Sequence, residues 1–205
     1  MQRFGFAVPT VAALDAISAC SPGGVVEIGA GTGYWAAQLA HRGVDVLAVD
    51  LHPPPDLDNP WFAGSPTWFP VESGDERVAG EQPSRCLLLV WPTKNEMWPA
   101  DALALHHRAG GRHAVYVGEP AGGRTGDAVL HALIGEAGNC VACTYGITDS
   151  PCTCDVQPLW RGVARIGLPA WQADDVGLHV LERVEATSGR WVRRGRKRRR
   201  EPPVR

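Results

Sequence analysis

Val25-Val-Glu-Ile-Gly-Ala-Gly-Thr-Gly-Tyr-Trp35 decides the fold. Val25 to Ile28 reads as a buried strand, the three alternate glycines as a turn, and Tyr34-Trp35 as the start of a helix. Glycine tolerates positive φ and lets a ligand come close to the backbone. A helix starting just past such a turn offers unpaired N–H groups to a polar or anionic ligand. A second strand, Asp45-Val-Leu-Ala-Val-Asp50, follows and ends in an acid 17 positions past Gly33. A carboxylate at that strand end is where ribose hydroxyls would be gripped.

Two cofactor types compete for this arrangement. A dinucleotide turn requires Gly-x-Gly-x-x-Gly. Tyr34 stands where its third glycine belongs, so that spacing fails. The pattern present is Glu-x-Gly-x-Gly-x-Gly. Residues 27–33 resemble motif I of the class I S-adenosylmethionine (SAM)-dependent methyltransferases. The resemblance implies that Glu27, Gly29, Ala30, Gly31 and Gly33 contact the cofactor and that Asp50 binds its ribose. It extends over most of residues 4–185, where Leu-Val-Trp-Pro and Val-Tyr-Val-Gly-Glu are similar to a poorly characterised methyltransferase-like group. It implies a Rossmann-like fold: a mostly parallel central sheet, helices on both faces and a terminal antiparallel hairpin.

Length and charge fit that picture. A chain of 205 residues suits one α/β domain with a real core, and 44% hydrophobic with 20% charged residues is ordinary for a soluble protein. No apolar run is long enough to span a bilayer, and the N-terminus lacks a signal-peptide core, so a cytoplasmic location is expected. The net charge of −2 conceals an asymmetry. Residues 190–205 hold nine Lys/Arg and one acid, leaving 11 basic and 21 acidic residues before them. The expected organisation is a methyltransferase-like domain over 1–189 and a basic, disordered tail over 190–205. That tail is either a solvated extension or a contact for nucleic acid or another anionic partner.

Upstream of the turn, apolar residues recur at helical spacing from Val11 to Ala19, with Thr10 as N-cap. Phe4 and Phe6 either line a pocket or staple the core. Helices are expected over Tyr34–Arg42, Pro99–Ala109 and Ala128–Glu136. His106 and His107 do not share a helix face, so they are no ready-made metal pair; near a helix C-terminus, where histidine is favourable with the dipole, both are read as surface residues. After Asp50 the usual crossover helix gives way to a proline- and tryptophan-rich loop. Strand three is expected within Thr67-Trp-Phe-Pro-Val71. The following Ser73-Gly-Asp75 resembles the family segment whose acid, here Asp75, reaches the adenine amino group; turn chemistry is the other reading.

The apolar run Arg85-Cys-Leu-Leu-Leu-Val-Trp-Pro92 fits a central parallel strand. Ligands of open α/β sheets lie beyond the carboxyl ends of strands. Trp91 is therefore placed to face the cofactor or the acceptor; packing in the core or at the rim is its alternative. Glu119, at the end of the strand Arg112–Glu119, is the candidate acceptor-orienting group or general base; capping the following glycine loop is its alternative. Methyl transfer depends mainly on in-line positioning, so a strong base is not obligatory. Trp160–Pro169 and Gly177–Val184 read as the closing hairpin.

Six cysteines remain. Cys20 and Cys86 lie in apolar segments and read as buried thiols. Cys140, Cys143, Cys152 and Cys154 could complete a tetrahedral, structural zinc site. The Cys-x-Cys bite is tight and the pairs are close together, so loop thiols are the competing reading. The chain is expected to transfer a methyl group from SAM to an unspecified acceptor, with a small molecule preferred. The rivals are a non-catalytic interaction protein acting through its basic tail and a zinc-supported binding module.

Overall fold

The computed structural model describes residues 6–54, 57–136, 158–168 and 176–185. The clustered cysteines, Phe4 and the basic tail lie outside the described residues. The elements are α1 Val11–Cys20, β1 Val25–Ile28, α2 Tyr34–Ala40, β2 Val46–Asp50, β3 Glu72–Ser73, α3 Val78–Glu81, β4 Cys86–Val90, α4 Trp98–Arg108, β5 His113–Gly118, α5 Ala128–Leu133, β6 Trp160–Leu168 and β7 Val176–Arg183.

Among the described residues seven strands form one sheet in the order β3-β2-β1-β4-β5-β7-β6. The first five run parallel. β7 enters antiparallel beside β5 and carries β6 as its hairpin partner. This is the Rossmann-like methyltransferase fold with its reversed terminal strand. The sheet order turns back between β1 and β4, which opens a crevice at their carboxyl ends.

Strand alternation sends successive side chains to opposite faces. In β4, Leu87 and Leu89 pack with Val26, Leu103 and Leu130 on one face. Leu88 packs with Leu14, Ile17, Trp35 and Leu39 on the other. The apolar run therefore has no polar side because both faces are covered. Thr10 caps α1 by accepting the Ala13 N–H at 3.2 Å. No helix among the described residues is long and apolar enough to cross a membrane.

Three local expectations are corrected. β3 lies after residues 67–71, not within them, and pairs only Glu72 and Ser73 with the end of β2. Pro70 has no N–H for a ladder, and the Trp68 N–H is spent on Thr32 O at 2.8 Å. That run is used to pack against the glycine turn. His106 is not a surface residue: it is fully buried. Its ring nitrogens lie 3.0 Å from Ala79 O and 3.2 Å from His113 O, and its ring stacks on Trp160 at 5.8 Å. His107 is half-buried, with Nε2 3.1 Å from Val184 O. Finally, Cys86 is buried as expected, whereas Cys20 is only partly so.

Candidate functional site

The turn after β1 is shaped by close approach. Gly29 and Gly31 have φ of +73° and +55°. A Cβ on Gly29 would come within 2.7 Å of the Trp98 ring, and one on Gly31 within 2.6 Å of the Phe62 ring. Any larger residue would meet both strain and a wall of aromatic carbon. Ala30 N–H donates to Val49 O at 3.0 Å, tying the turn to β2.

Asp50 completes that tie. Its Oδ2 accepts the Gly31 N–H at 2.8 Å, and its Oδ1 accepts the His52 N–H at 3.0 Å. Burial raises its pKa against the pull of these two bonds. Glu27 is more extreme. It is 1% exposed; burial, with the Asp50 charge adding and the Ala36 N–H opposing, lifts its pKa to about 8. Its Oε2 has no hydrogen-bond partner among the described residues. A buried carboxyl oxygen without a partner is costly, and this one borders a cavity.

That cavity encloses about 690 Å³, within the range of small-molecule sites. Glu27, Gly29, Ala30, Gly31, Asp50 and Asp75 line it, whereas Gly33 does not. Arg77 engages the Asp75 carboxylate through Nε and Nη2 and holds its pKa down. Aromatic rings complete the lining. Phe6 lies nearly parallel to Trp91, with centroids 6.0 Å apart and planes at 19°. It also meets Trp61 edge-on at 5.8 Å and Phe62 at 6.0 Å. Phe6 is thus a cavity residue. Trp91 carries φ +51°, an uncommon conformation for a bulky residue, and its N–H donates to Val117 O at 2.7 Å.

Glu119 is placed differently from its expectation. It does not line the cavity. Its carboxylate turns into the following loop, accepting the Arg124 N–H at 2.5 Å and Arg124 Nε at 3.0 Å. Arg124 reaches the cavity instead, with its guanidinium 5.9 Å from the Trp91 ring centroid. Of the two alternatives for Glu119, the loop-capping geometry is the one observed. The carboxylate opposes the arginine charge and sets its direction.

Several lining residues escaped the sequence reading. Asn59 is the organiser of the loop after β2. Its Oδ1 accepts the N–H groups of Trp61 and Phe62 at 2.9 and 2.7 Å, and its Nδ2 donates to His52 O at 2.6 Å. Asn-Pro is a turn-starting pair, so Asn59-Pro60 did carry a local signal. Nothing local marks Trp98 or Arg124 as neighbours of the turn and of Trp91. Among the described residues no cluster of three or more His, Cys, Asp or Glu could hold a metal ion.

No protein-family model matches the chain, and no curated protein matches it in sequence. Solved structures do overlap it. Magnesium protoporphyrin IX methyltransferase from Synechocystis PCC 6803, with bound SAM, matches 85% of this chain and 76% of its own at 12% identity and a TM-score of 0.48. A putative tRNA (m1A22) methyltransferase from Streptococcus pneumoniae matches 88% and 74% at 11% identity and a TM-score of 0.49. The mitomycin 7-O-methyltransferase matches 78% and 48% at 14% identity and a TM-score of 0.39. The strand order and the reversed β7 are by themselves those of the Rossmann-like methyltransferase fold.

Proposed function

We propose that the chain is a SAM-dependent methyltransferase acting on a small acceptor with a flat, apolar body. The observation that carries this reading is Glu27: a buried acid with an oxygen unpartnered among the described residues, at the foot of a glycine turn that Asp50 ties to β2. The donor set fits the cofactor. Glu27 offers an acceptor for a cationic or N–H group on the methionine side. Asp50 offers carboxylate lone pairs to ribose hydroxyls, and Asp75, on the cavity lining, would accept from an adenine amine. Bound there, SAM supplies an electrophilic methyl group on sulfur.

The chain's remaining work is positional. Phe6, Trp61 and Trp91 offer ring faces and edges to a planar acceptor and exclude water from the reacting side. Arg124, aimed by Glu119, adds a cation beside Trp91. In-line approach, not proton removal, is the main demand of the reaction. Calorimetric titration with SAM, S-adenosylhomocysteine and NAD(H) tests the reading. Binding of both sulfur compounds and not of NAD(H) is the expected result. A flat titration with both, on folded protein, overturns it.

A further inference from the structure

Cys20 closes α1 and Cys86 opens β4. They are 66 positions apart in sequence, yet their sulfurs are 3.8 Å apart. That is van der Waals contact. A disulfide at about 2.05 Å requires the two sulfurs to close by about 1.75 Å. The two thiols differ in access: Cys86 is buried and Cys20 is partly exposed. Both sit at the end of the sheet opposite the cavity, since β4 begins at Cys86 and reaches the cavity at Val90 and Trp91.

We infer that Cys20 and Cys86 form a reversible redox site that closes to an intramolecular disulfide on reaction with a low-molecular-weight disulfide. Cys20 is the entry point. Its thiolate attacks one sulfur of the oxidant, forming a mixed disulfide and releasing one thiolate. The Cys86 sulfur then attacks the Cys20 sulfur, forming the Cys20–Cys86 bond and releasing the second. Two protein thiols give up two electrons and two protons, and the two released thiolates take up those protons. The same contact explains the order. The hydrogen bond with Cys86 holds the Cys20 thiol below its ordinary pKa. The Cys86 thiol is raised by that contact and by burial. The more acidic thiol is also the accessible one, which is the pattern of an attacking cysteine. This inference stands independently of the cofactor reading.

The test uses the full chain in buffers of graded reduced and oxidised glutathione. Remaining thiols are then blocked with N-ethylmaleimide in denaturant and the protein is digested with trypsin. The expected product joins the peptide of residues 4–42 to that of residues 86–94, two hydrogens lighter than the sum of the two, and dithiothreitol removes it. Cys86→Ser should stop at the Cys20–glutathione mixed disulfide. Cys20→Ser should leave Cys86 unmodified in the folded protein. Recovery of the two peptides separately blocked at every glutathione ratio overturns the inference. So does glutathione on Cys86 in the folded Cys20→Ser variant.

Discussion

The carboxylate of Asp50 accepts the Gly31 N–H at 2.8 Å, joining the end of β2 to the turn after β1. The acid shapes the glycine turn directly as well as bordering the cavity. Asp50→Ala leaves two backbone N–H groups, of Gly31 and His52, without this acceptor. We expect a stability loss of about 1–3 kcal/mol and a SAM affinity lowered at least about tenfold, equivalent to about 1.4 kcal/mol. Asp50→Asn retains one oxygen and should fall between. Urea unfolding and calorimetry read the two effects separately. A SAM affinity unchanged in Asp50→Ala would remove Asp50 from the cofactor set.

Gly29→Ala imposes a side chain at φ +73° and drives it toward the Trp98 ring, 2.7 Å from the new Cβ. The backbone contribution alone should cost about 1–3 kcal/mol. Trimming the ring in a Gly29→Ala/Trp98→Leu double variant should relieve the clash but not the φ penalty. A double-mutant cycle should therefore show favourable coupling of about 0.5–3 kcal/mol. Strict additivity would mean that the ring does not wall the turn.

Glu27 makes stability depend on pH in an unusual direction. Its pKa rises from an ordinary 4.5 to about 8 on folding. Below both values it is protonated in either state and contributes nothing to the slope. Between them the unfolded chain loses the proton and the folded one keeps it, so this contribution to stability falls as pH rises. The limiting slope is about 1.4 kcal/mol per pH unit, and above about pH 8 the penalty is constant. Glu27→Gln should remove this descent in pH-dependent urea unfolding. A wild-type profile that matches the variant's between pH 5 and 8 would count against a neutral buried Glu27.

Glu119 should act through Arg124 and not on the cofactor. Glu119→Gln weakens the hold on Arg124 without touching the cavity wall. A stability loss of about 1–3 kcal/mol with SAM affinity within twofold is expected. Turnover should fall through misplacement of Arg124. Rescue of turnover by Glu119→Asp, with its shorter carboxylate, is not expected. A large loss of SAM affinity in Glu119→Gln would instead mean that the acid acts on the cofactor itself.

The sequence alone determined the strand, glycine turn and helix, the second strand with its terminal acid, and the closing hairpin. These are short-range matters: φ sterics, strand alternation and helical spacing act within a few residues. Tertiary structure decided the rest. Phe6 meets Trp91 across 85 positions, and Trp98 walls Gly29 from 69 positions away; no spacing rule encodes such contacts. It buried His106 between two backbone carbonyls. It turned Glu119 away from the cavity and put Arg124 there. It moved β3 past Pro70 because the preceding run was committed to Thr32. The protonation of Glu27 belongs to the same class, since a carboxyl's charge is set by the water it loses and the partners it lacks. Residue type fixes what a side chain can do; burial and long-range neighbours fix what it does.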